Sequence, residues 1–235
     1  MAAKKITRKE LLKEPDEFIT TSAQIVQYTR ENPKKVLIIC LVIAVSLLAA
    51  AGFYAYQRQA KLASHESFEK AFMEYQMLDI SGQTPTNEQL DKLLAQFETI
   101  TKDYPSYSAG DMALLYSGHV LYKKNDFRGA LDRYTRMQTT KLAKEGMGQL
   151  VLYHTAMTLF ALKDYEQATI IFDQLSKDTN SPYCREAHAA IARIYESSGK
   201  NKEAVQAYRQ YLKMFPEAPD AAFVKSRIAE LSAQG

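Results

Sequence analysis

The sequence predicts an all-α protein in which a single N-terminal transmembrane helix precedes a solenoid of helical hairpins. Residues 36–56 form a run of 21 residues without a charge, and glycine and proline together number only 16 of 235 residues. No stretch shows the sustained alternation of apolar and polar residues that a half-buried strand requires. A pattern of small and aromatic residues also returns three times along the chain, which is typical of a repeat architecture.

The uncharged run, residues 36–56, is long enough to cross a bilayer. As a helix it spans about 31 Å, close to the ~30 Å thickness of the hydrocarbon core. Lys35 precedes the run, and Tyr56 and Arg58 close it, as interfacial anchors do. Three alanines at 49–51 offer a cleavage position, but the long leader does not fit a cleavable signal peptide. We therefore expect an uncleaved signal anchor.

Charge predicts which side of the membrane each part occupies. Residues 1–35 carry eight lysine or arginine residues against five acidic ones, whereas residues 57–235 carry 22 of each. Positive segments favour the cytoplasm, so we predict a cytoplasmic N-terminus and a translocated C-terminal domain. The neutral C-terminal domain argues against nucleic acid as a partner.

The basic leader, residues 1–35, is predicted to contain a short amphipathic helix. A capping box begins at Thr7, Pro15 suits the first turn of a helix, and Asn32-Pro33 would end it. Two interpretations stay open for this segment. It is either a helix that lies on the membrane or docks a partner, or a partly disordered leader.

The first part of the large domain, residues 57–105, is predicted to be a helical hairpin. One helix would continue from the span to Ile80, and a loop at 81–85 would follow. Thr86 or Asn87 would cap the second helix. We expect this hairpin to be a degenerate first repeat.

Three later segments align without gaps at their key positions. Each contains a small residue followed by Ala-x-x-x-aromatic, and successive copies are 38 and then 36 residues apart. The three sets are Gly118, Ala130 and Tyr134; Ala156, Ala168 and Phe172; and Ala192, Ala204 and Tyr208. Such spacing lets two helices approach closely at the small residue, while the aromatic ring fills the space beside it.

This pattern resembles the tetratricopeptide repeat, which places a small residue, Ala-x-x-x-aromatic and a terminal proline at set offsets over 34 residues. The resemblance implies repeats at about 111–142, 149–180 and 185–216, with Pro216 at the terminal position. It departs from the family in lacking tryptophan, and its longer spacing implies slightly extended turns.

A capping helix is predicted at 219–233, because a solenoid needs a terminal helix over its last apolar face. We expect Phe223 and Val224 to face inward with Ile228 and Leu231. The same register would turn Lys225, Arg227 and Glu230 outward.

The sequence contains no motif for catalysis, and we predict neither an enzyme nor a cofactor or metal site. The four histidines include no ligand-spaced pair, and Cys184 has no evident activating base. His119 and His154 lie on the first helices of adjacent repeats and could approach one another. An enzyme with a diffuse site is the remaining alternative, and metal binding by this pair would distinguish it.

The resemblance also implies where a protein partner would bind. In tetratricopeptide repeats the first helices form the inner wall, which would be apolar and aromatic over two repeats and then charged. The residues mapped to this wall are Met112, Leu115, His119 and Tyr122; Leu150, Tyr153, Met157 and Phe160; and Glu186, Ala189, Arg193 and Glu196. The alternative is that several of the apolar ones are core residues. The lysine and asparagine clamp that grips a C-terminal carboxylate in some members is not evident.

The layout of leader, anchor and repeat domain is similar to that of the bacterial YfgM-like family of ancillary Sec translocon subunits. This resemblance implies a single-pass inner-membrane scaffold with periplasmic repeats, which links the translocon to a periplasmic chaperone. The alternative is a scaffold for cell-wall, division or outer-membrane assembly machinery. The fold by itself does not distinguish these partners.

Overall fold

The computed structural model describes residues 17–80 and 82–233, and within these ranges every regular element is a helix. The all-α prediction is therefore confirmed, and the predicted capping box at Thr7 lies outside the described residues. The helices are α1 Glu17–Glu31, α2 Pro33–Ile80, α3 Asn87–Asp103, α4 Ser108–Lys123, α5 Phe127–Gln138, α6 Gly148–Ala161, α7 Tyr165–Lys177, α8 Cys184–Ser197, α9 Asn201–Met214 and α10 Ala221–Ala233.

The chain divides into two compact units, Met1–Gln59 and Ala60–Gly235. The first unit contains α1 and the beginning of α2, a single helix of 48 residues. By length and composition α2 could cross a membrane, and its most apolar window has no buried residue. Asn32 interrupts the helix between α1 and α2, at the break that Asn32-Pro33 predicts.

The second unit begins with an aromatic core between α2, α3 and α4. Phe68 and Tyr75 on α2 are buried against Phe97 on α3. The half-buried ring of Tyr116 on α4 contacts all three, with its centroid 5.8, 5.3 and 5.7 Å from theirs. Thr86 begins α3 with a capping box, as one of the two predicted caps. Large rings therefore hold the first hairpin against the repeats.

The three repeats are hairpins built from α4 and α5, α6 and α7, and α8 and α9. Their small and aromatic positions are buried in each copy, with exposures of 0 to 3% for Tyr134, Phe172, Tyr208 and the five repeat alanines. The turn residues also correspond, because Asn125, Lys163 and Gly199 all have positive φ, of 61°, 63° and 75°. The predicted periodicity thus extends to the backbone of the turns.

The longer spacing of the first two repeats has a visible cause. An irregular turn, Ala143–Met147, lies between α5 and α6, and its backbone leaves the helical conformation at Gly146. Ala143 in this turn is buried in the cluster that contains Tyr134 and Met137. The extended turn predicted from the 38-residue spacing is confirmed here.

The C-terminal helix α10 covers the last repeat through Val224 and Leu231, which are buried with Tyr208 and Tyr211. The prediction that Phe223 faces inward is wrong, because its side chain is 67% exposed. Val224, Ile228 and Leu231 share one helix face at spacings of four and three residues, and Phe223 lies one residue out of that register. The face of α10 that carries Val224, Ile228 and Leu231 therefore packs on the last repeat.

Candidate functional site

The residues predicted for the inner wall do not form one open surface. Leu115 is 1% exposed and belongs to the core, and the Nε2 atom of His119 is buried. Six predicted wall residues are half-buried and pack against core clusters or aromatic neighbours: Met112, Tyr122, Leu150, Tyr153, Met157 and Phe160. The core alternative therefore describes Leu115 and His119, whereas Phe160, Glu186, Arg193 and Glu196 come together around two cavities.

Two adjoining cavities lie between the last repeat and α10. The first has a volume of about 310 Å³ and is lined by Arg185, Glu186, Ala189, Arg193, Tyr208, Tyr211, Pro219, Asp220, Phe223 and Val224. The second has a volume of about 520 Å³ and is lined by Phe160, Arg193, Glu196, Ser197, Tyr208, Phe223, Ser226, Arg227 and Glu230. Arg193, Tyr208 and Phe223 line both. We call this surface the C-terminal groove.

Glu196 on the wall of the groove is held by two partners. The Nε atom of Arg227 donates a hydrogen bond to Glu196 Oε1 at 2.8 Å, and the hydroxyl of Tyr208 donates to Glu196 Oε2 at 2.8 Å. The Arg227 guanidinium and the Tyr208 hydroxyl hold the pKa of the Glu196 carboxyl below its usual value. The carboxylate is therefore charged but already compensated, and it joins α8 to α10.

Glu186, at the other end of the groove, also has a cationic neighbour. Arg185 Nη2 donates to Glu186 Oε1 at 2.5 Å. The Glu186 Oε2 atom is buried without a hydrogen-bond partner in the part of the chain that the structure describes. The two acidic residues predicted for this wall are thus each paired with an arginine.

Arg193 differs from these groups because it has no ion pair with any residue in 17–80 or 82–233. Its side chain is exposed and lines both cavities. Burial raises the pKa of Tyr153 and Tyr208, and the positive charge of Arg193 partly opposes that rise at both phenols. The guanidinium therefore lies near two tyrosines and is free to meet an anion.

The groove presents Arg193, which has no ion pair among the described residues, beside exposed aromatic surface, whereas Glu186 and Glu196 each have an arginine partner. Arginine and aromatic residues are enriched at protein interfaces, and a guanidinium pairs well with a carboxylate. The free thiol of Cys184 does not add chemistry here. It is buried, its Sγ donates to the Ser176 carbonyl at 3.3 Å, and burial raises its pKa. The arrangement is suited to binding a protein segment.

His119 and His154 approach one another as predicted, with ring centroids 4.4 Å apart. Burial lowers the pKa of His119 to about 3 and that of His154 to about 4. Within residues 17–80 and 82–233, no three histidine, cysteine, aspartate or glutamate side chains lie together as metal ligands. The pair is a neutral joint between adjacent repeats.

The sequence predictions missed the contribution of α9 and α10 to the groove. The sequence analysis predicts Tyr208 as a repeat-packing residue and Phe223 and Arg227 as residues of the capping helix, and it does not single out Tyr211. One signal could have identified Phe223: it lies outside the spacing of Val224, Ile228 and Leu231, which the cap needs for packing.

The stacked helical hairpins define a helical-repeat protein, a class whose fold is suited to protein–protein interaction. A family profile described as a tetratricopeptide repeat-like domain matches residues 27–233, so the chain belongs to that family.

Two similar solved structures share the fold at low identity. One is a tetratricopeptide repeat protein from Parabacteroides merdae, with a TM-score of 0.54, 15% identity and coverage of 72% of this chain and 61% of that chain. The other is a Podosopora anserina protein described as a kinesin light chain with nearly identical TPR-like repeats, with a TM-score of 0.54, 14% identity and coverage of 71% and 84%. This chain thus spans about three fifths of the Parabacteroides protein's length. No curated protein matches the sequence.

Proposed function

We propose that this chain is a non-enzymatic scaffold, anchored in a bacterial inner membrane by residues 36–56, that binds protein segments in the C-terminal groove. The observation that carries the proposal is Arg193, a cation without an ion pair among the described residues, in a groove where Glu186 and Glu196 each have an arginine partner. Its tetratricopeptide repeat-like family supports a role in binding proteins.

The anchoring and orientation rest on the N-terminal part of the chain. The start of α2 has the length and apolar composition of a membrane span. The basic leader favours a cytoplasmic N-terminus, which would expose the repeats to the periplasm. Together with the similarity in layout to the YfgM-like family, this supports a role in envelope protein export or quality control, alongside the Sec translocon and a periplasmic chaperone.

The groove would hold its partner by two kinds of contact. A carboxylate of the bound segment would pair with Arg193, since Glu196 and Glu186 already have arginine partners. An apolar side chain beside that carboxylate would pack on Phe223, which is 67% exposed, and on the half-buried ring of Phe160. The bound segment is therefore expected to carry acidic and apolar residues close together.

Photo-crosslinking in living cells tests this function. A benzophenone amino acid at Phe160 or Phe223 should form adducts with translocon or chaperone subunits. The matched control is Ile170 on α7, a large apolar residue that is 57% exposed and lies outside both cavities. Arg193→Glu should weaken the adducts without changing the amount of folded protein.

The outcomes separate the hypotheses. Adducts with cell-wall, division or outer-membrane machinery would favour the alternative scaffold. Adducts that form equally well at Ile170, or none at Phe160 and Phe223, would contradict a partner-binding groove.

A further inference from the structure

A row of exposed side chains follows the outer face of α2 within the second unit. Met73, Met77 and Ile80 are 57, 69 and 79% exposed, although large apolar residues usually lie inside. Glu66, Glu69 and Lys70 continue the row toward the N-terminus and are exposed as well. We call these six residues the α2 stripe. The opposite face of the same helix buries Phe68 and Tyr75.

The position of the stripe makes its apolar character unusual. α2 is the first helix of the second unit, and its outer face ends the stack of hairpins there. Terminal elements of a solenoid normally present a polar outer face, because nothing follows them to cover an apolar one. Two methionines and an isoleucine within eight residues therefore indicate a contact surface.

The spacing of the residues in the α2 stripe suits packing against a second copy of the same helix. Glu66, Lys70, Met73, Met77 and Ile80 follow one another at alternating intervals of four and three residues. That is the heptad pattern by which two parallel helices pack knobs into holes. We propose that the α2 stripe pairs in parallel with the same stripe of a second copy of this chain.

The charges of the stripe complement one another in such a pair. Glu66, Glu69 and Lys70 form no ion pair within residues 17–80 and 82–233. In the parallel register, Lys70 at an a position lies beside Lys70 of the second copy, in a hole that Glu66 and Glu69 of that copy also border. Each Lys70 ammonium therefore has two carboxylates of the other copy beside it at the polar end of the stripe, while methionine and isoleucine meet at the other end.

The parallel direction agrees with the proposed anchor. Two chains inserted into one membrane in the same orientation carry their α2 helices in the same direction. Confinement to the membrane also raises the effective concentration of one stripe for the other, so a short contact can suffice. This part of the inference rests on the proposed membrane anchoring, whereas the stripe itself does not involve the C-terminal groove.

Cysteine crosslinking of the full chain in bacterial membranes tests the proposal. Cys40→Ala and Cys184→Ala remove the native thiols, and Met77→Cys places a new thiol at the centre of the apolar part. We expect oxidation to give a disulfide-linked dimer, several-fold more abundant than with Ile170→Cys as the matched exposed control. Equal crosslinking at both positions, none at Met77→Cys, or a product with a different protein would overturn the proposal.

A second measurement needs no introduced thiol. The full chain in mild detergent should have the mass of a dimer by light scattering. Met73→Glu with Met77→Glu should raise the dissociation constant by roughly tenfold or more, because charges would be buried between the helices. Ile170→Glu should leave it unchanged. A monomeric wild type, or a dimer indifferent to the double substitution, would overturn the pairing, and crosslinks from Phe160 would still report separately on the groove.

Discussion

The imidazole rings of His119 and His154 lie with their centroids 4.4 Å apart, and burial keeps both neutral. They come from α4 and α6, the first helices of adjacent repeats. The ring of Tyr134 contacts both, with its centroid 5.8 Å from that of His119 and 5.5 Å from that of His154. Protonation of either histidine would place a charge inside this joint.

Folding stability should therefore fall as the pH drops below about 6.5, the pKa of histidine in an unfolded chain. The folded-state pKa values are lowered to about 3 for His119 and about 4 for His154, so the unfolded state binds these protons first. Each histidine should remove about 2 kcal/mol between neutral pH and about pH 5. Chemical denaturation at a series of pH values measures this loss.

His154→Phe keeps a ring of similar size but cannot be protonated. Between neutral pH and about pH 5, the variant should therefore lose about 2 kcal/mol less stability than the wild type. The control is His65→Phe, since His65 is exposed on α2. An unchanged pH dependence in His154→Phe would contradict the assignment.

Gly118→Ala should destabilise the second unit. A β-carbon at this position would lie 2.6 Å from Cε1 of Tyr134, whose ring is 1% exposed and has no free space. We expect a cost of about 1 to 3 kcal/mol, typical of overpacking a close-packed core. In a double-mutant cycle with Tyr134→Leu the cost should shrink, and an undiminished cost would assign the effect to something other than the ring.

Lys163→Gly should stabilise the chain by about 1 kcal/mol, because a left-handed backbone conformation strains a residue with a β-carbon. Lys163 has a φ of 63° in the turn between α6 and α7, where Gly199 has 75° in the following repeat. The matched change Gly199→Ala should destabilise by a similar amount. Urea denaturation of the two variants should give opposite shifts, and shifts of the same sign would refute the equivalence of the turns.

Thiol labelling should report the topology of the repeats only from an introduced cysteine. Cys184 is 4% exposed and its burial raises the thiol pKa, so the native residue should react slowly even in lysed cells. Lys144→Cys on the exposed turn before α6 should react with a membrane-impermeant reagent in intact spheroplasts. Labelling only after lysis would place the repeats in the cytoplasm and contradict the export role.

The repeats were predictable because their determinants are local. Spacings of three and four residues define a helix face, and the return of Gly118, Ala156 and Ala192 with their aromatic partners defines the stacking of hairpins. The structure confirms these contacts, and also the approach of His119 to His154, which follows from their equivalent places in adjacent repeats.

Partner binding by the inner wall stays a prediction. Which residues are exposed on that wall was only partly predictable. Leu115 and Arg193 occupy corresponding faces of their helices, yet the first is in the core and the second is exposed. Whether such a position is buried or exposed depends on how closely the neighbouring helices pack there. Helical periodicity in the sequence does not predict the distance between helices.

The sequence by itself determined the helices, the repeat period, the uncharged span and the absence of a catalytic motif, since each is encoded in residue type and spacing along the chain. Only the tertiary structure decided that Phe223 faces the groove, and that Arg227 pairs with Glu196 while Arg193 has no ion pair among the described residues. These are contacts between residues far apart in sequence, and their register is set by side-chain packing of α10 on the last repeat rather than by local preference.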